Sequence, residues 1–398
     1  MRLARIAVVL FAILAAACSR GSAPALVPVG AEPRSSDRWA GQNGYKRLFT
    51  FGGAKGAGPV SALVDVHGML YGTTSGGGNY SVGGGTAYSF TTSGTEKVLH
   101  DFGPPADGRQ PWSELVALSG VFYGTTEDGG KYDHGIVYSL TTAGEEHVMH
   151  SFGRAPDGSE PVTGLTVVNG NLYGTTTLGG RHNGGTVFQI TPSNKERVVY
   201  NFGSTEADGR DPQGTLVLVK GILYGTTFQG ARCGTVYSLT PGGKEQTLYS
   251  FTCDYGDGDG PSGGLVAVSG TLYGVTSSGG GPHESQDAGT VYSVTTTGKE
   301  HVLHSFGKGS DGAEPTGTLV LFKGKLYGVT GGGGRYSHGT LFSITTSGTE
   351  TVVHSFGATN DGSNPYAGVV AVKTSLYGTT ANGGTGYHPA GTIYAFAP

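Results

Sequence analysis

Tyr45-Lys46-Arg47-Leu48-Phe49-Thr50-Phe51 is a strand-like segment that stands ahead of the unit it belongs to. The same pattern ends in Phe102, Phe152, Phe202, Phe251, Phe306 and Phe356, and each of these copies follows three other strand-like segments. The last unit stops at its third segment, Thr392-Ile393-Tyr394-Ala395-Phe396. The chain thus begins with the piece that its end lacks. An open array would expose both fragments as bare edges, a liability for any sheet. A ring closes if residues 45–51 pair with about 391–397.

The unit itself is marked by Tyr-Gly-(Thr/Val)-Thr at Tyr71, Tyr123, Tyr173, Tyr224, Tyr273, Tyr327 and Tyr377. Unit five shows its parts. They are Leu265-Val266-Ala267-Val268, a Ser269-Gly270 turn, Thr271 to Thr276, a glycine-rich loop, Gly289 to Val294, a turn at Thr297-Gly298, and His301 to Phe306. A two-residue X-Gly step suits a primed hairpin turn, which needs positive φ. Where the second turn lacks Gly it has Asn194, a residue that tolerates left-handed backbone. Four antiparallel strands in roughly 50 residues is a propeller blade of kelch-type length. The expectation is an all-β, seven-bladed β-propeller over 45–398, closed by its N-terminal strand.

Composition agrees. Of 398 residues 75 are Gly and 18 Pro, and a Gly inside a helix costs about 1 kcal/mol against Ala. Collagen is excluded by the lack of a Gly-X-Y period. Disorder is opposed by 36% hydrophobic and 10% aromatic residues, enough to bury a core. A net charge of −4 gives no electrostatic footprint for nucleic acid.

The first residues read as an export address. Arg2 and Arg5 precede an apolar run, Ile6 to Leu14, and Ala15-Ala16-Ala17-Cys18 supplies small residues for cleavage. The run is too short to span a bilayer. The segment 1–18 resembles a signal peptide with a lipobox, which would make Cys18 a lipidated N-terminus and a lipid anchor the only link to membrane. It has Ala where Leu is usual, so plain cleavage after Ala17 or near Ala23 stays open. Residues 19–44, rich in Ser, Ala, Pro and Gly, read as a flexible tether. Lipidation of Cys18 leaves Cys233 and Cys253 as an even pair. The two lie symmetrically about the Gly242-Gly243 turn, and an oxidising location favours their disulfide.

The consensus Gly-x-Leu-Tyr-Gly-Thr-Thr…Gly-Thr-Val-Tyr-Ser-Leu-Thr…Val-Leu-His-Ser-Phe-Gly…Asp-Gly-x-x-Pro resembles the GloVer tandem repeat. That family consists of exported bacterial proteins with variable surface anchors. The resemblance covers about 45–398 and implies a place in the cell envelope or outside the cell, but transfers no catalytic residue.

Candidate chemistry is sparse. His100, His150, His304 and His354 share a column with Tyr200, Tyr249 and Phe49, so they read as planar side chains packed on the outer strand. His134, His182, His283, His338 and His388 fall in the glycine-rich loops and read as solvated. The connector motif Asp-Gly-x-x-Pro reads as an Asx-turn. Its variant at Asp254, Asp257 and Asp259 crowds three carboxylates and is a candidate calcium site.

In a ring of equal blades, specificity lies where equality fails. The residues after the connector Pro are Val60, Trp112, Val162, Gln213, Ser262, Thr316 and Tyr366, and two places on, Glu114 stands among Ala, Gly and Thr. Trp112, Glu114, Gln213 and Tyr366 are therefore the candidate ligand-binding residues, suited to stacking on a sugar ring or gripping a peptide. The resulting expectation is a monomeric, non-catalytic binding or scaffold module for an envelope glycan or protein. The alternative is a lyase or hydrolase acting on extracellular polysaccharide or another exported substrate, with Glu114 and neighbouring connector carboxylates as acid and base.

Overall fold

A computed structural model describes residues 44–398 apart from 81–82, 104–105, 282–287 and 387–389. The expectations for residues 1–43, Cys18 among them, and for His283 and His388 lie outside the described residues.

Seven antiparallel blades of four strands follow one another along the chain, the fifth joined by the connector strand Gly258–Pro261 as a fifth strand. Blade 2 is typical: Val116–Leu118, Val121–Thr126, Ile136–Thr141 and Glu146–Ser151 run from first strand to fourth. Blade 7 is assembled from both ends of the chain, in the order Tyr45–Thr50, Thr392–Phe396, Ser375–Thr380, Val370–Val372. Tyr45 lies opposite Phe396 and Thr50 opposite Thr392. The third and fourth strands of the other blades shift register at one place, as between Val137 and Tyr138, and the N-terminal strand does so between Arg47 and Phe49. It is a true fourth strand, and the ring is closed as its sequence predicts.

The core lies between blades. Each sheet is covered on both faces, so the third strand is buried on almost every residue, as in Thr235–Leu239. The Phe that ends each fourth strand inserts edge-on against the third-strand ring of the next blade: Phe102 on Tyr138 at 5.0 Å, Phe202 on Tyr237 at 5.0 Å, Phe306 on Phe342 at 5.1 Å. Such pairs contribute about 0.5–1.5 kcal/mol beyond their buried area. Phe51 makes the same contact with Tyr88 at 5.0 Å, so closure adds an aromatic contact as well as a strand.

This packing explains Tyr-Gly-Thr-Thr. A Cβ on Gly124 would lie 2.6 Å from the Tyr138 hydroxyl, because that ring crosses the second strand there. The second Thr bonds the Thr that opens the third strand, as with Thr74 and Thr86 at 2.9 Å. The first reaches the next blade, as when Thr125 Oγ1 donates to the Thr163 carbonyl at 3.1 Å. The X-Gly hairpins are primed turns with positive φ at both residues, 54° at Ser119 and 81° at Gly120.

Among the described residues, the connectors and second-to-third loops share one end of the blades, the connector face. There short pairings tie the connector to the second-strand extension, as between Gly108–Arg109 and Asp128–Gly129. Among the described residues no helix is long and apolar enough to cross a membrane.

Candidate functional site

The residue before each connector Pro holds a left-handed backbone: φ is 62° at Gly58, 56° at Gln110, 57° at Glu160, 56° at Asp211, 62° at Gly260, 57° at Glu314 and 56° at Asn364. The cause is local. Its carbonyl turns to accept the amide that follows the second strand, as Gln110 does from Glu127 at 3.1 Å and Asp211 from Phe228 at 2.8 Å. Only two of the seven are Gly. A non-glycine residue there costs on the order of 1 kcal/mol, and the five that bear this cost are all carboxylates or amides.

Around Trp112, Gln110 is joined by carboxylates of blades 2 and 3. The half-buried indole directs its N–H at Gln110 Oε1, 3.4 Å away, and Gln110 Nε2 donates to Asp128 Oδ2 at 3.2 Å. Glu127, 9% exposed, is next to them. Burial pushes its carboxyl up to about 7, with Asp128 and Glu160 adding to the rise and the nearby Trp112 indole N–H opposing it. Asp211 is pushed up to about 6, chiefly by burial, while the bond from Gln213 Nε2 at 3.0 Å opposes the shift. Its other oxygen, Oδ1, is buried without a partner. Burial raises Asp128 and Glu160 as well, with Arg109 and His134 countering. The result is an aromatic platform in an acidic and amide setting, spread over blades 2 to 4.

The other sequence-predicted residues are placed differently. Glu114 lies across Gly164 of the next blade and bonds Thr215, and burial raises its carboxyl. It belongs to the packing of the inner strands, while the carboxylates beside Trp112 are Glu127 and Asp128. Tyr366 covers Gly331 of blade 6, and burial, then Glu314, raises its hydroxyl. Trp112 and Tyr366 thus serve separate sectors. Gln213 does join the acidic set, through Asp211.

Asp254, Asp257 and Asp259 have separate surroundings. Asp257 accepts from Tyr249 Oη, Thr252 N, Thr252 Oγ1 and Gly258 N at 2.8–3.1 Å, whereas Asp254 is exposed, 3.7 Å from Arg232. Asp259 lies in the short strand Gly258–Pro261. Among the described residues no group of three ligand atoms within 4.8 Å includes any of them. Cys233 and Cys253 form the expected disulfide, with Cα atoms 5.6 Å apart.

A second constellation recurs at the outer rim. The fourth-strand His meets the Asp of the following connector, with Nε2–Oδ2 distances of 3.0 Å for His100–Asp107, 3.2 Å for His150–Asp157, 3.0 Å for His304–Asp311 and 2.9 Å for His354–Asp361. Tyr200 and Tyr249 donate to Asp208 and Asp257 from the same column. The column packs as read from the sequence, each ring set edge-on to the fourth-strand Phe, and it also holds the connector.

These features define a seven-bladed propeller with one asymmetric polar sector on its connector face. The Gloeobacter/Verrucomicrobia repeat matches residues 39–233 and 229–398, and the chain belongs to that family. No curated protein matches the chain by sequence. Among solved structures it is similar to a puromycin-hydrolysing peptidase of Mycobacterium tuberculosis, at 10% identity and a TM-score of 0.51 over 85% of this chain and 53% of that one. It spans about half the length of that peptidase. A gluconolactonase of Xanthomonas campestris aligns at 14% identity and a TM-score of 0.39, over 63% of this chain and 76% of that one. At these identities the likeness concerns the fold alone.

Proposed function

We propose that this chain is an exported binding module of the bacterial cell envelope, tethered through Cys18 and residues 19–44, whose Trp112 sector recognises a glycan. The carrying observation is that one sector in seven combines a half-buried indole with Gln110, Glu127 and Asp128, while Glu160 links this group electrostatically to Asp211 and its partner Gln213. Sugar C–H faces stack on an indole, and their hydroxyls take hydrogen bonds from amides and give them to carboxylates. Calcium is not required by this reading. The repeats occupy 45–398 and leave no room for a separate catalytic domain within it.

A second reading, a propeller lyase or hydrolase on extracellular polysaccharide, is favoured by one observation. Glu127, whose carboxyl burial pushes up to about 7, adjoins the more exposed Asp128, and a neighbouring carboxyl pair of this kind is what acid–base chemistry uses. A glycan array with product analysis on every hit decides between them. Binding that Trp112→Ala abolishes, without turnover, supports the module. Turnover lost in Glu127→Gln would replace it with the enzyme.

A further inference from the structure

We propose that three of the seven blade junctions are sites for a divalent transition metal of the zinc class, built from His100, Asp107 and Glu146, from His150, Asp157 and Glu196, and from His304, Asp311 and Glu350. In each trio the histidine comes from one blade, the aspartate from the connector and the glutamate from the fourth strand of the next blade. One ligand atom from each lies within 4.8 Å of the others. One nitrogen and two carboxylate oxygens, half-buried with water at hand for a fourth position, is a donor set that zinc accepts.

The aspartates are already oriented as ligands. Oδ1 is held by the next residue's amide, at 2.8 Å from Gly108 N, 2.8 Å from Gly158 N and 2.7 Å from Gly312 N, which turns Oδ2 to the imidazole; Asp157 Oδ2 also accepts from Gly153 N at 2.9 Å. Outer bonds of this kind fix the direction of a metal-binding carboxylate. A tetrahedral ion with arms of about 2.0–2.1 Å holds its ligands about 3.3 Å apart, close to the 3.0–3.2 Å between imidazole and aspartate here. The glutamate supplies the need for charge. Oε1 of Glu146, Glu196 and Glu350 is buried and receives no hydrogen bond, beside a second carboxylate. A buried acceptor in that position is costly unless a cation or donor meets it.

The other four junctions act as internal controls. At the ring closure Lys55 takes the aspartate's place, 3.8 Å from Glu96 Oε2, and Phe49 stands where the histidine would be, so Glu96 keeps an unpaired Oε1 but has neither imidazole nor aspartate to complete a ligand set. At the last junction Tyr45 replaces the glutamate and donates to Asp361, leaving one carboxylate. Tyr200 bonds both Asp208 and Glu245 at 3.3–3.5 Å. Glu300, beside Tyr249, keeps an unpaired oxygen but has no imidazole to complete a ligand set. A bound ion would staple consecutive blades, so uptake should raise thermal stability.

The test uses the full chain, stripped with chelator and titrated with zinc chloride by calorimetry, with native mass spectrometry to count ions. Three ions and a higher melting temperature are expected. His304→Tyr, the residue that two other blades carry, should leave two ions, and His100→Tyr/His150→Tyr/His304→Tyr none. Glu146→Gln, also expected to leave two, covers the case of a tyrosine variant that does not fold. No saturable uptake by the wild type, or three ions retained in the triple variant, would overturn the proposal.

Discussion

Blades 2 to 4 and blades 5 to 7 share one backbone and differ in what they hang on it. Before the connector Pro, φ is 56°, 57° and 56° at Gln110, Glu160 and Asp211, and 62°, 57° and 56° at Gly260, Glu314 and Asn364. In the position that follows Tyr-Gly-x-Thr, blades 2 to 4 carry Glu127, Thr177 and Phe228, whereas blades 5 to 7 carry Ser277, Gly331 and Ala381. The Phe-on-ring contacts are the same in both halves. What recurs builds the ring, and what fails to recur is where recognition can reside.

The strongest way to break that comparison is to open the ring, since both halves depend on closure. Deleting residues 45–51 removes the fourth strand of blade 7 and Phe51, and a broad, non-cooperative melt is expected. A melt like that of the full chain would show that the halves stand independently. Within the repeated core, Phe202→Ala should cost about 3–5 kcal/mol by denaturant titration. Cys233→Ser/Cys253→Ser should cost about 3 kcal/mol on the chain-entropy account of a loop of this size, detectable as a lower midpoint under oxidising conditions only.

A smaller effect is read by pH at the Trp112 sector. Glu127 is raised to about 7 and Asp211 to about 6, each above its value in the unfolded chain, so the folded state holds more protons. Their contribution is fully present below the unfolded pKa near 4–4.5 and is lost as pH rises through about 6 to 7. The stability of Glu127→Gln/Asp211→Asn should therefore fall less over that range than the wild type's, and an unchanged slope would contradict the assignment. Smallest of all is Tyr138→Phe. The hydroxyl is buried without a partner, and Phe188 and Phe342 already occupy the column. A change within about 0.5 kcal/mol, or a slight gain, is expected because no hydrogen bond is lost.

The ring was legible because periodicity exposes whatever repeats: the displaced Tyr45–Phe51 strand, the turn glycines and the symmetric cysteines all read directly. The sector was legible only where an exception fell within one column, as with Trp112 and Gln213. Glu127, Asp128, Glu160 and Asp211 sit in other columns, and only the fold brings those columns together. Glu114 illustrates the converse, an exception in its column that packs over Gly164 toward Thr215. The rim trios escaped for the same reason. Phe49 argues against a ring of histidine ligands, while each trio takes its members from three different columns.

The most direct measurement of the central claim is affinity for a glycan-array hit, with melting temperature recorded alongside, for wild type, Trp112→Ala and Tyr366→Ala. Loss of at least about tenfold in affinity for Trp112→Ala, the size of effect expected from a stacked aromatic anchor, with Tyr366→Ala close to wild type and all three melting alike, is the result predicted. Binding that survives Trp112→Ala, or fails equally in both variants, would contradict it.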